Sequence, residues 1–232
     1  MLTFLGRGSA FADAHNCAYF IRGKELVLLD CPVTAFLKLK HAAFLKDMDV
    51  IRILVTHMHC DHVGGIPLMI HYAKYILEKP VKVMAPSAGV AHSLNLLIDE
   101  IEHCDKSGYS IQMPEEYDAD FLAEPILTLH VDALGGSYGY HLIVDEREIV
   151  YTGDTRSLDA FLPFLHKHVT LYAEASAGER DSGVHLYLEK VLPQLCTLRK
   201  SGVQVYLMHL DNEENTRRMI DGTGIELAPL AE

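Results

Sequence analysis

Four side chains of the kinds that bind metal ions lie within six residues of one another, directly after an apolar run at residues 50–55 that predicts a buried strand. They are His57, His59, Asp61 and His62. Side chains alternate along an extended backbone, so His57 and His59 should project to the same side. Asp61 and His62 should lie in the turn before the next helix. Two groups of donors that face one cavity suit two metal ions.

Three more candidate ligands lie at the ends of predicted strands in the second half of the chain, namely His130, Asp154 and His209. A catalytic zinc ion uses about three protein ligands and keeps one position open for water, so a site for two ions needs roughly six or seven donors. With these three residues the count reaches seven. The sequence therefore predicts a complete two-metal site, provided that the fold brings distant segments together.

The rest of the chain alternates between strand and helix patterns that could position these donors. Strands are predicted at residues 2–5, 17–22, 25–30, 50–55, 82–85, 126–131, 138–144, 148–151, 170–174 and 204–208. Helices are predicted at residues 34–46, from Gly64 onward, and at 88–102, 157–167, 184–199 and 212–220. The stretch 107–125 has no clear pattern and is interpreted as a loop over the site. Strands followed by helices, twice over, predict two packed sheets with helices outside in a single domain of residues 1–232.

Composition limits the kinds of partner. The formal net charge is -12, from 32 acidic and 20 basic side chains, and such a surface repels tRNA, DNA and other large polyanions. The five cysteines form an odd set without a close Cys-x-x-Cys pair, which favours reduced thiols over a disulfide framework. The amino terminus does not resemble a secretory signal, so we expect a cytoplasmic protein with no membrane partner.

Several motifs resemble those of the metallo-β-lactamase superfamily, within the branch that includes tRNase Z and small phosphodiesterases. They are Leu5-Gly-Arg-Gly-Ser-Ala10, Asn16, Leu29-Asp30-Cys31, the cluster at 57–62, Ser137-Tyr-Gly-Tyr140, Gly153-Asp154-Thr155 and His209. The resemblance implies an α/β fold, a four-layer αββα sandwich with the site at one edge of the sheets. A homodimer is also typical of the family.

The resemblance also implies how the seven donors are shared between the ions. His57, His59 and His130 would hold the first ion, Asp61, His62 and His209 the second, and Asp154 would bridge them. In tRNase Z the third of these histidines lies closer to the Gly-Tyr pair, where this chain has Ala133. The assignment of His130 thus requires a longer loop at residues 132–136.

Glu174 and His185 fall where tRNase Z has a glutamate and a histidine that assist proton transfer near the leaving group. The histidine that precedes this glutamate in the family is here Ala173, so the match is partial. His185 is predicted to act as a general acid or phosphate contact, and the alternative is a capping or helix-surface histidine. Asp61 is counted with this pair among the catalytic candidates. Asp30 is expected to support the ligand loop through hydrogen bonds.

This site predicts a metal-dependent hydrolase. Metal coordination lowers the pKa of water to about 7, so a metal-bound hydroxide is the expected nucleophile. The leading hypothesis is a phosphodiesterase that acts on a small phosphodiester, such as a cyclic nucleotide. Nitrogen-rich ligation favours zinc, with manganese or iron as alternatives.

Other functions of the same fold stay open. A lactonase or other ester hydrolase would use the same metal centre, and the walls that choose between substrates are expected in the stretch 107–125. A tRNA 3′-processing endonuclease is less favoured, because residues 9–16 contain no Pro, Lys or Arg where that family has a basic loop. A redox di-iron protein of this fold usually has a glutamate where this chain has His59, which disfavours that function. A scaffold without catalysis would not need the full ligand set.

Overall fold

Two sheets form the centre of the protein, which we describe from a computed structural model that covers residues 1–130 and 135–231. The first sheet contains, in spatial order, β1 (Thr3–Gly6), β2 (Cys17–Arg22), β3 (Glu25–Leu29), β4 (Val50–Leu54), β5 (Val81–Met84) and β6 (Tyr109–Gln112). The second contains β7 (Leu122–Thr128), β8 (Ser137–Val144), β9 (Arg147–Tyr151), β10 (Thr170–Glu174), β11 (Gln204–Met208) and β12 (Glu226–Leu227). Each sheet begins with an antiparallel meander of three strands and continues with parallel strands.

Helices cover the outer face of each sheet. They are α1 (Val33–Leu39), α2 (Cys60–Val63), α3 (Ile66–Tyr72), α4 (Ala88–Asn95), α5 (Leu188–Lys200) and α6 (Glu213–Ile220). Helices α3 and α4 continue as wider π-helical turns at Ala73–Leu77 and Leu96–Ile101. In the described part of the chain, no helix has the length and apolar character needed to cross a membrane.

Strand β3 explains why the layers form. Its side chains Leu26 and Leu28 pack under the helices of the first sheet, whereas Val27 and Leu29 face the second sheet. All four are fully buried, so the strand is a continuous apolar run rather than an alternating one. Burial on both faces produces the predicted αββα sandwich, and the structure confirms this fold class.

Three predicted helices are wrong in their extent, and the one predicted at residues 184–199 begins only at Leu188. The pattern at residues 34–46 predicts one helix, but α1 ends at Leu39 and a separate 3₁₀ turn follows at Ala43–Asp47, because Ala42 adopts an extended backbone between them. The pattern at 157–167 forms only a 3₁₀ helix at Asp159–Phe164, which contains a proline that lacks the N–H needed for a longer helix.

The stretch 107–125, interpreted above as a loop over the site, has a different structure. It contains the edge strand β6, a short 3₁₀ turn at Pro114–Glu116 and the beginning of β7. Its Asp118 forms ion pairs with Arg52 of β4 and with Lys82 of β5, which lie before the carboxyl ends of their strands. These contacts fasten the stretch to the sheet edge rather than to the predicted ligands. The strand predicted at residues 126–131 ends at Thr128 and begins earlier, at Leu122. Residue 131 and most of the predicted loop 132–136 lie outside the described residues.

Candidate metal centre

The predicted ligands meet at one end of the sandwich, where the parallel strands finish. His57 and His59 follow β4, Asp154 follows β9, and His209 follows β11. His130 comes two residues after β7. Carboxyl ends of parallel strands meet at the same edge of a sheet, so residues distant in sequence become neighbours there.

Asp61 and His62 belong to α2, a single helical turn that precedes α3. This helix packs closely on the exit of β3: the N–H of Cys31 donates to the carbonyl of His62, and the N–H of Gly65 donates to the carbonyl of Cys31, both at 2.8 Å. A Cβ atom at Gly65 would lie 2.5 Å from the carbonyl oxygen of Pro32. Glycine at this position therefore allows the close approach that holds α2 at the site.

The donors form two groups. One contains His57, His59, His130 and Asp154, the other contains Asp61, His62 and His209, and within each group the ligand atoms lie within 4.8 Å of one another. All seven predicted ligands are therefore brought together.

Asp154 lies between the two groups. Its Oδ2 is 3.9 Å from Nε2 of His57 and 3.6 Å from Nε2 of His130. Its Oδ1 is 3.5 Å from Nε2 of both His62 and His209. Each carboxylate oxygen thus faces a different group, which is the arrangement of a bridging ligand.

The pattern of unsatisfied atoms fits bound cations. Nε2 of His57, His62 and His130 and Oδ1 of Asp154 are buried without a hydrogen-bond partner among the residues that the structure describes. Such atoms are rare in proteins unless a water or an ion satisfies them. Two ligands of one tetrahedral zinc ion, each about 2.0–2.1 Å from it, would be about 3.4 Å apart. The separations of 3.4–3.9 Å between histidine nitrogens and carboxylate oxygens are close to this value.

The electrostatics of the two groups differ, because the carboxylates of Asp154 and Asp30 raise the pKa of His62 well above its ordinary value although burial acts in the opposite direction. Burial lowers the pKa of His57 well below the ordinary histidine value, and the nearby His62 lowers it further, so the neutral imidazole that binds metals is favoured. Burial also raises the pKa of Glu174 well above its ordinary value, and the nearby Asp154 raises it further. Two buried carboxylates so close together are stable as anions only beside positive charge.

Hydrogen bonds fix the orientation of the histidines. Asp30 is fully buried, as expected for a supporting residue, and its carboxylate accepts from the N–H and the hydroxyl of Thr56, each at 2.7 Å. It also lies 2.7 Å from Nδ1 of His62. Nδ1 of His130 lies 2.8 Å from the carbonyl oxygen of Val184. Because Nδ1 is occupied in both rings, Nε2 is the atom presented to the centre.

Glu174 and His185 form the expected pair. Oε2 of the fully buried Glu174 lies 2.8 Å from Nδ1 of His185, and its Oε1 accepts from the N–H of Thr155. Nδ1 of His185 is also 3.9 Å from Oδ2 of Asp154. His185 lies in the loop before α5, so the helix-surface alternative is wrong. Its Nε2 has no hydrogen-bond partner among residues 1–130 and 135–231.

Sequence reasoning missed Thr56. Thr56 contacts Asp30, and its hydroxyl oxygen lies 3.0 Å from Nδ1 of His57. Its position between the buried strand and the first histidine could have indicated this role. Cys60, between the predicted ligands His59 and Asp61, is exposed at the start of α2.

Comparisons with known proteins agree with this geometry. The profile of the family described as "Anti-Pycsar protein Apyc1" matches residues 1–225. The protein of that name from Paenibacillus sp. (strain J14) is 30% identical over 172 residues, which are 66% of this chain and 66% of that protein. Its namesake in Bacillus phage vB_BveM-Goe7 is 28% identical over an alignment of 255 positions that covers 96% of this chain and 93% of the phage protein.

Solved structures confirm the fold. The metallo-β-lactamase fold protein YhfI from Bacillus subtilis superposes with a TM-score of 0.78 at 19% identity, over 100% of this chain and 97% of that one. Human tRNase Z, short form, superposes with a TM-score of 0.65 at 18% identity, over 99% and 96% of the two chains. The predicted metallo-β-lactamase fold is thus confirmed.

Proposed function

We propose, from the premise that this chain belongs to the Anti-Pycsar protein Apyc1 family, that it is a two-metal phosphodiesterase acting on a small phosphodiester such as a cyclic nucleotide. One observation carries the proposal: the two oxygens of Asp154 face separate groups of histidines. A paired cation site of this kind suits the displacement of an alkoxide from phosphorus, because charge develops on both the attacking and the leaving oxygen.

We assign His57, His59 and His130 to one ion, Asp61, His62 and His209 to the other, and Asp154 to both. Zinc is the proposed metal, since five of the seven donors are imidazoles, while manganese and iron are the alternatives. When bound, the two ions supply Lewis acidity at the phosphoryl group and a hydroxide at neutral pH. Asp61, which is also a catalytic candidate, would act by holding the second ion in position together with His62 and His209.

The chain itself provides the proton for the leaving group. Glu174 holds Nδ1 of His185, so Nε2 of the same ring points away from this contact and is free to carry a proton. As the bond from phosphorus to the leaving oxygen breaks, Nε2–H donates its proton to that oxygen. Glu174 stabilises the ring in the orientation required and remains hydrogen-bonded to it throughout.

The net charge and the free cysteines support a small substrate and a reducing compartment. The net charge of -12 disfavours large polyanions, which leaves small substrates. All five cysteines are free, as expected in a reducing compartment such as the cytoplasm. A homodimer stays a prediction, and light scattering on the purified protein would test it.

The experiment is a metal titration coupled to an assay. Metal-free protein receives zinc or manganese and is tested on bis-p-nitrophenyl phosphate, a 3′,5′-cyclic nucleotide and a lactone. We expect two ions per chain, turnover of both phosphodiesters, and loss of activity in the isosteric variant Asp154→Asn. Turnover of the lactone alone would indicate a lactonase, and bound iron with an oxo-bridge absorption would indicate redox chemistry. Metal binding without any hydrolysis would contradict the proposal.

A further inference from the structure

A cavity of about 340 Å³ lies on the His185 side of the candidate centre, outside the seven predicted ligands. Its lining includes Arg156, Leu158, His185, Tyr187 and Gln194. The volume falls within the range of about 300–1,000 Å³ that is usual for small-molecule sites. His185 is the proposed proton donor, so an occupant of the cavity that contacts it would lie next to the leaving oxygen.

The backbone of Arg156 is fixed relative to the centre. It follows Asp154 by two residues, and its N–H donates to the carbonyl of Leu129 at 2.7 Å. The preceding residue, Thr155, donates its N–H to the buried carboxylate of Glu174. Arg156 therefore emerges from the same rigid turn that carries the bridging aspartate.

The guanidinium of Arg156 has no hydrogen-bond or ion-pair partner within residues 1–130 and 135–231. The cavity's other cation differs, because Lys190 forms an ion pair of 2.7 Å with Asp181. Arg156 is thus an exposed charged donor at the cavity wall, and no described side chain neutralises it. A guanidinium donates only, so its complement is an acceptor atom on a ligand.

The remaining walls are suited to a flat, partly apolar ligand. Leu158 and Leu186 line the cavity but are only 1% and 2% exposed, so they add a small apolar area to its wall. Tyr187 offers an aromatic ring, and Gln194 offers an amide that can both donate and accept. Nucleobases are bound in this way, by stacking on an aromatic ring and by hydrogen bonds to their polar edges.

We propose that this cavity binds the nucleoside part of the substrate, with Arg156 donating to an acceptor atom on the edge of the base. The inference rests on the proposed function and deepens it, because it makes Arg156 a specificity residue on the leaving-group side. A second phosphate is the less favoured occupant, since Asp181 cancels the charge of Lys190 and leaves one cation where a phosphate would favour several.

The test compares two substrates that differ only in the base. They are a 3′,5′-cyclic nucleotide and the corresponding ribose 3′,5′-cyclic phosphate with hydrogen in place of the base. Loss of a charge-assisted hydrogen bond corresponds to about a tenfold change or more in binding. We therefore expect Arg156→Ala to raise the KM of the nucleotide at least about tenfold, to leave kcat within about twofold, and to leave the abasic substrate unchanged.

The controls separate this inference from the proposed function. Arg147→Ala removes the same charge at the amino end of β9, away from the centre, and should change neither substrate. Arg156→Gln retains a donor and should show a smaller rise in KM. A rise in KM that is equal for both substrates would place Arg156 at the phosphate and overturn the inference. A KM that is unchanged for both substrates would overturn it as well. The proposed function fails separately, if the wild-type protein with zinc or manganese cleaves neither substrate nor bis-p-nitrophenyl phosphate.

A second readout needs no turnover. Equilibrium dialysis of metal-free protein against labelled uridine or adenosine measures binding of the nucleoside alone. We expect weak binding that Arg156→Ala lowers at least about tenfold and Arg147→Ala leaves unchanged. Nucleoside binding that is equal in the wild type and in Arg156→Ala would overturn the inference whatever the kinetics.

Discussion

Replacing Asp30 with asparagine tests the hydrogen-bonded support of the metal centre. The carboxylate accepts three hydrogen bonds, two from Thr56 and one from Nδ1 of His62. Asparagine has the same shape and tolerates the left-handed backbone of this position, where φ is 62°. The substitution therefore removes charge and acceptor capacity without adding backbone strain.

The geometry gives the expected size of the effect. Asparagine offers one oxygen, so its NH₂ group must face either the N–H of Thr56 or Nδ1 of His62. In the first case a buried N–H loses its acceptor. In the second case His62 must accept at Nδ1, which places its proton on Nε2 and removes it as a ligand. Loss of one charge-assisted bond costs about 1.5–3 kcal/mol of folding free energy.

Two measurements separate stability from metal affinity. For a chain of this size, about 2–4 °C of Tm corresponds to 1 kcal/mol, so the metal-free variant should melt about 3–12 °C lower than the wild type. Competition with a chromophoric chelator should give zinc binding weaker by about 10- to 100-fold. Asp47→Asn changes an exposed aspartate and serves as the matched control. Zinc affinity within threefold of the wild type would refute the reasoning, even if the Tm fell.

Three other predictions follow from the described contacts. His185→Ala should lower kcat on a cyclic nucleotide by about 10²–10⁴, with unchanged metal content and a smaller loss on p-nitrophenyl esters, whose leaving group needs less protonation; parallel loss of metal would contradict this. The contact with Arg7 holds the pKa of Glu213 at about 2, below its ordinary value of 4.5, so this pair should stabilise the fold above pH 4.5 and lose its effect as the pH falls toward 2. The free energy of unfolding of Glu213→Gln, measured with urea, should therefore be close to that of the wild type in acid and lower than it at pH 6. Gly65→Ala should destabilise the protein by about 1–3 kcal/mol and weaken zinc binding, and an unchanged midpoint of chemical denaturation would show that α2 can shift without cost.

Much of the fold could be predicted from the sequence because its central strands are buried on both faces. The runs at residues 170–174 and 204–208 become β10 and β11 with the predicted bounds. The edge strand β6 was missed, since it pairs with only one neighbour and its sequence Tyr-Ser-Ile-Gln lacks an apolar run. Strand β12 is shorter still, and nothing in two residues indicates a strand.

The candidate site was predictable in its members but not in its arrangement. Residues 57–62 indicate metal binding by type and spacing alone, and His130, Asp154 and His209 followed from a donor count and a resemblance. That each oxygen of Asp154 faces a different group of histidines depends on the packing of two sheets, which no local pattern contains. The position of His185 in a loop likewise depends on where α5 begins.

The donors of each group come from both halves of the sandwich, and this has a consequence for unfolding. One group joins His57 and His59 of the first sheet to His130 and Asp154 of the second, and the other joins Asp61 and His62 to His209. An ion in either group would act as a cross-link across the boundary between the sheets. Opening of that boundary would then require release of the metal, so resistance to proteases should increase with the concentration of free zinc.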